Sequence, residues 1–187
     1  MELKHIIEGL IFAAQGPLSA AKLAELLPEH DAAQIEAALE ALAADYQGRG
    51  IELRRVAGGF QFRTAAELAG AVARLRGQTL RLSQAALETL AVVAYRQPVT
   101  RAQIEAVRGV DCSHLLRALL KRRLLRIAGR KDVPGRPPLY ATTKTFLEVF
   151  DLEDLSHLPS LAEGEALSAP FAGTANPRAR SRPEPNP

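Results

Sequence analysis

The stretch LSQAALETLAVVAYRQPVTRAQIEAVRGVD, residues 82–111, decides how this chain folds. Ser83 can cap a helix that Leu82 and Leu87 staple, and that helix runs to about Tyr95. Pro98 stands just past its end. Thr100 and Gln103 then form a capping box, with Val99 and Ile104 as a second staple, so a new helix opens at once and Gly109 ends it. A third helix is predicted from about Asp111 to Arg123, with Leu115, Leu116, Leu119 and Leu120 turned inward. Beyond it, Leu125 and Ile127 begin a strand and Leu139 to Ala141 return as another. Thr143 caps a further helix carrying Phe146, Leu147 and Phe150.

The first half of the chain has the same order. Leu3, Ile6, Ile7, Leu10, Ile11 and Ala14 recur at helical spacing and give one apolar stripe, which Gly16-Pro17 ends. The segment QGPLS (15–19) matches RQPVT (96–100): Pro17 corresponds to Pro98 and Ser19 to Thr100. Ser19 caps a second helix, with Leu18 and Leu23 as its staple, and this helix stops by Pro28. Asp31 caps a third, with Ile35, Leu39, Leu42 and Tyr46 on one face. Ile51-Glu52-Leu53 and Phe60-Gln61-Phe62 alternate and are joined through Gly58-Gly59, a hairpin signal. Thr64 to Glu67 reads as a capping box that opens a fourth helix.

Three helices, a hairpin and a closing helix, twice over, describe a tandem winged helix: mostly α with small β-hairpins, an α+β chain. The expected domains are 1–77 and 78–159, with the boundary near Arg76 to Thr79. Residues 160–187 are rich in Ala, Ser, Gly, Pro and Arg without periodicity and are expected to be a disordered tail. Each unit alone would be small and its core marginal.

Composition narrows the function classes. Hydrophobic residues make up 47% of the chain, enough for compact cores, but with no Trp and only 5% aromatics those cores must be aliphatic. One cysteine, Cys112, leaves no internal disulfide framework and suits a reducing cytoplasm. The opening residues lack a signal-peptide layout. No uncharged apolar run approaches the roughly 20 residues of a membrane span. The sequence therefore reads as soluble and cytoplasmic. His5, His30, His114 and His157 have no metal-ligand spacing, and Cys112 near His114 has no third orienting group. No phosphate-cradling glycine loop is present. Neither an enzyme nor a cofactor is expected.

A winged helix suggests a DNA-binding transcription regulator, and each copy answers differently. Residues 1–50 hold eight acids and three bases, a net charge of −5, and their third helix exposes Gln34, Glu36, Glu40 and Asp45. Such a face repels phosphate. The second copy exposes Ser113, His114, Arg117, Ala118 and Lys121. Arg122, Arg123, Arg126, Arg130, Lys131 and Arg136 come after, opposed only by Asp132. Arg117, Lys121 and Arg122 are candidate DNA contacts on charge, but the helix has no Asn or Gln for base reading. Gly135-Arg136-Pro137 could lie in a minor groove, yet apolar Pro138-Leu139 stands directly downstream and a stiff wing tip is the plainer reading. Leu3, Ile7 and Leu10 are candidates for a dimer interface; the alternative is that the stripe is core of its own unit.

The opening stretch, together with GRKDVPGRPPLYATTKTFLEVFDLEDLSHLP (129–159), resembles the segregation and condensation protein B (ScpB) family, and LIFAAQGPLS (10–19) matches its first domain. The likeness covers residues 3–159 and is strongest from Gly129 to Pro137, at Leu139-Tyr140 and at Thr142-Thr143-Lys144. Ala141 stands where the family often has Gly, and Pro138 where a larger apolar residue is common. The resemblance implies a tandem winged-helix protein without enzyme activity that dimerises largely through its first domains. It implies binding to the kleisin ScpA, which bridges SMC ATPase heads, in a complex that condenses and segregates the bacterial chromosome. It implies a cytoplasmic protein associated with the nucleoid, touching DNA weakly or through its partners. It also assigns Arg130, Lys131, Asp132, Val133, Pro134, Gly135, Arg136 and Pro137 to the kleisin-facing surface.

Overall fold

In the first repeat the caps divide the chain into helices as the sequence suggests. The computed structural model describes residues 1–76 and 82–159; most of the expected boundary and the whole of the 160–187 tail lie outside the described residues. Helix α1 spans Leu3–Ala13, α2 Ala20–Leu26 and α3 Ala32–Tyr46. The Ser19 hydroxyl accepts from the Lys22 amide at 3.2 Å. Asp31 accepts from the Gln34 amide at 2.8 Å while the Gln34 side chain accepts from the Asp31 amide at 3.0 Å, a capping box that satisfies two orphan donors. The inward faces of the three helices close on Ile7, Ile11, Leu23, Ile35, Leu39 and Leu42. Burying each such side chain stabilises by about 1.5–3 kcal/mol.

Strands β1 (Ile51–Val56) and β2 (Gly59–Thr64) form the first wing, antiparallel, with Val56 opposite Gly59. The turn is therefore Ala57-Gly58 rather than Gly58-Gly59. Both residues have positive φ, 52° and 74°, as a two-residue type I′ turn needs. Gly59 is drawn into the strand because the backbone of Leu18 lies against it. The Leu18 amide donates to the Phe60 carbonyl at 3.0 Å, and the Phe60 amide returns a bond to Leu18 at 2.8 Å. Thr64 is not a helix cap either. It ends β2 opposite Ile51. Beyond it a 3-10 turn, Ala66–Leu68, begins at Ala65 without a side-chain cap and runs into α4 (Ala69–Arg76). The ladder has already committed the Thr64 backbone.

The second repeat comprises α5 (Gln84–Arg96), β3 (Val99–Thr100), α6 (Arg101–Arg108), α7 (Ser113–Lys121), β4 (Leu125–Arg130), β5 (Pro138–Thr142) and α8 (Lys144–Val149). Ser83, Thr100 with Gln103, and Thr143 all cap as their positions suggest. The sheet order is β3-β5-β4, with Val99 opposite Tyr140. The Pro17/Pro98 correspondence thus has a structural counterpart: in both copies the residue after the proline, Leu18 or Val99, pairs with the returning strand of the wing. Helix α7 is shorter than expected at both ends. Asp111 accepts from the Ser113 hydroxyl at 2.7 Å instead of entering the helix, and Arg123 turns left-handed at φ 57° as Leu124 bonds back to Leu119.

Residues Met1–Ser156 form one compact unit, and the first wing is part of what closes it. The Ala57 and Gly58 amides donate to the Leu152 and Glu153 carbonyls at 2.9 and 3.0 Å. Arg63 donates to the Glu148 carbonyl at 2.6 Å, and Arg54 and Arg55 pair with Asp151 and Glu153 at 3.3 and 3.4 Å.

Candidate partner-binding site

The second wing carries the candidate site. Arg130 ends β4 opposite Pro138, after a bulge between Ile127 and Gly129. The hairpin then continues past its named strands. The Lys131 amide donates to the Pro137 carbonyl at 2.9 Å, and the Arg136 amide to Val133 at 2.9 Å across a turn with Gly135 at φ 82° and Arg136 at φ 37°. The Arg130 guanidinium folds back on the Arg136 carbonyl at 3.1 Å. The prolines do not hold this segment out of the ladder, as their missing amides would suggest. Pro138 takes the first position of β5, a place a strand tolerates, and Pro137 contributes its carbonyl. The result is a braced arm. Arg130, Lys131, Asp132, Val133, Pro134, Gly135 and Arg136 are exposed on it, and Pro137 is half-buried.

The candidate dimer stripe faces elsewhere. Ile7 is 0% exposed, at the centre of the first repeat's core, and Leu3 and Leu10 are half-buried against that same core. Ile7 therefore has no surface to offer a second copy. The outward side of α1 presents His5, Gly9 and Phe12, and Phe12 is 80% exposed. Its position directly after inward Ile11 was the available signal. Counting apolar residues along the stripe passes over it.

Both repeats hold ion pairs, and in the second Arg108 pairs with Glu88 at 2.7 Å and Arg101 with Glu105 at 3.7 Å; the cations of α7 and the second wing are used differently. In the first, Lys4 pairs with Asp45 at 2.6 Å, Lys22 with Glu25 at 2.6 Å and Arg55 with Glu36 at 3.6 Å. The hydrogen bond from Lys4, and then its charge, hold the Asp45 carboxyl below its ordinary value. Arg49 lies over the Tyr46 ring. In the second, Arg117, Lys121 and Arg122 are exposed on α7 and at its end, beside Arg123 and Arg126. Among the described residues none of these, nor Arg130, Lys131 or Arg136, forms an ion pair. These cations lie on α7, at its end and on the second wing, whose strand β4 packs against α7.

Cys112 is buried, and that burial, with the Glu105 and Asp111 carboxylates beside it, pushes the thiol up, away from the thiolate a nucleophile requires. Among the described residues no group of three or more His, Cys, Asp and Glu could hold a metal ion, and no helix is long and apolar enough to cross a membrane.

Comparison with known proteins gives the family. The family model described as "Segregation and condensation complex subunit ScpB" matches residues 5–161. A segregation and condensation protein B of Syntrophotalea carbinolica is 51% identical over 166 residues, 87% of this chain and 84% of that relative. Among solved structures, ScpB from Mycobacterium tuberculosis is 40% identical, covering 80% of this chain and 94% of that one, with a TM-score of 0.38. A dimer of ScpB N-terminal domain complexed with ScpA peptide is 35% identical over 38% of this chain and 91% of its own, with a TM-score of 0.36. On the family match and the identity to the curated relative, this chain belongs to the segregation and condensation complex subunit ScpB family.

Proposed function

We propose that this chain is a non-catalytic accessory subunit of a bacterial SMC complex. In this reading it binds the kleisin ScpA as a homodimer and supports chromosome condensation and segregation in the cytoplasm, at the nucleoid. Family membership is the observation that carries this reading. Residues 1–77 and 78–159 are taken as its two domains. The arm from Arg130 to Pro137 is the proposed kleisin surface. It offers exposed Val133 between the cations Lys131 and Arg136, a mixed apolar and basic face suited to an amphipathic segment with acidic residues. Because the arm is already braced by its own hydrogen bonds, little conformational entropy is lost when a partner seats on it.

Size-exclusion chromatography of the chain mixed with ScpA at micromolar concentration tests the assignment. The two should co-elute, and separate elution refutes the reading. Pull-down with Arg136→Ala and Arg130→Ala then tests the surface. Arg136→Ala removes a side chain from the face, whereas Arg130→Ala also releases the Arg136 carbonyl. Both should weaken ScpA capture, the second more. Unchanged capture by both variants would move the contact off the arm.

A further inference from the structure

We propose that α7 and the base of the second wing form a sequence-blind phosphate-binding strip for duplex DNA, made by Arg117, Lys121, Arg122, Arg123 and Arg126. From Cys112 to Leu147 the only acid in the sequence is Asp132. All five cations are exposed, and none has an ion-pair partner among the described residues. Five like charges within ten residues repel one another, and a polyanion relieves that repulsion. The helix dipole accounts for Lys121 and Arg122 at the C-terminal end of α7. It does not account for Arg117 in mid-helix or Arg126 on β4. Arg123 sits in a left-handed conformation, φ 57°, that disfavours any residue but glycine; its carbonyl is held there by the Thr143 hydroxyl at 2.5 Å.

The partner's chemistry is set by the strip's side chains. It has point and fork cations spaced along a helix and a strand, which suit repeating phosphates. The exposed face of α7, with His114, Arg117, Ala118 and Lys121, lacks the Asn and Gln that read base edges. Affinity without sequence preference is the expected outcome. This inference stands on residues other than the kleisin arm, so either proposal can fail without the other.

The test is fluorescence anisotropy of the full chain with two unrelated 30-base-pair duplexes of different sequence. With all five cations engaged, the logarithm of affinity should fall with the logarithm of salt at a slope of about −4.5, or about 500-fold between 50 and 200 mM KCl. Both duplexes should bind alike. The triple variant Arg117→Gln, Lys121→Gln, Arg126→Gln should shrink that loss to about tenfold, since each lost phosphate contact removes about one unit of slope. The charge-preserving variant Arg117→Lys, Lys121→Arg, Arg126→Lys should retain the wild-type slope, which separates lost charge from lost fold. No binding at 50 mM KCl, or a triple variant with an unchanged slope, overturns the proposal. Displacement of the DNA by an equal charge concentration of polyglutamate also overturns it, in favour of an acidic protein partner.

Discussion

Replacing Gly59 by alanine should open the seam between the first helix-turn-helix and its wing. A Cβ built on Gly59 lies 2.8 Å from the carbonyl carbon of Leu18, 2.9 Å from its oxygen and 3.0 Å from the carbonyl carbon of Pro17. These are backbone atoms, with no flexible side chain to swing aside. Either Leu18 moves off and its two hydrogen bonds with Phe60 stretch, or β2 shifts out of register against β1. Two hydrogen bonds contribute about 1 kcal/mol each. Overpacking in a tight interior costs about 1–3 kcal/mol more. A loss of about 3–5 kcal/mol is therefore expected, which for a chain of this size lowers Tm by roughly 6–20 °C. Two glycines calibrate the measurement. Gly58→Ala meets no atom within 4 Å but must hold φ at 74°, which costs about 1–2 kcal/mol. Gly129→Ala meets neither obstacle and should stay within about 0.5 kcal/mol of the parent. Thermal and urea unfolding monitored by circular dichroism ranks the three. If Gly59→Ala proves as stable as Gly129→Ala, the close approach of Leu18 is not what holds the wing.

Three further outcomes are expected. Phe12→Ser should leave the unfolding transition of the monomer within about 0.5 kcal/mol, since the ring is mostly in solvent. A homodimer contact through the exposed face of α1 predicts that the same variant shifts the sedimentation profile toward monomer; an unchanged profile would place that contact elsewhere. Arg123→Gly relieves a left-handed arginine and should stabilise by up to about 1 kcal/mol while lowering the DNA salt slope by about 1; destabilisation would show that the φ of 57° carries no strain. Asp45 has its folded pKa depressed by the hydrogen bond and charge of Lys4, so its contribution is present above the ordinary carboxylate value and fades as pH falls through the lower folded one. Lys4→Met should therefore flatten the acid limb of the urea midpoint below the ordinary carboxylate value; a limb identical to that of the parent would remove Lys4 as the cause.

What the sequence made legible is what local chemistry determines. Ser19, Ser83, Thr100 and Thr143 cap because a hydroxyl three residues from an amide needs nothing distant to find it. The core leucines of α3 and α7 were legible from helical period alone. The ends of α7 are misjudged for local reasons, Asp111 bonding Ser113 and Arg123 turning left-handed, but the errors in the first wing lie where a distant segment decides. Gly59 looks like a turn residue until Leu18, 41 positions earlier, claims it for a strand. Thr64 looks like a cap until the ladder with Ile51 uses it. The stripe of α1 was legible as apolar, and Ile7 on it lies in the core of its own unit, the alternative the spacing already offered. The arm was recognisable from its letters, but its bracing was not, because the Arg130 guanidinium reaches a backbone carbonyl that leaves no mark in composition.

The contact between the first wing and residues 148–153 also has a mechanical meaning. Each repeat is sealed by buried aliphatic side chains, whereas this junction rests on two amide-carbonyl bonds, one arginine-carbonyl bond and solvent-facing charge pairs. Exposed pairs of that kind contribute about 0–1 kcal/mol each and weaken with salt. Under tension the junction is expected to act as the fuse, parting before either core gives way.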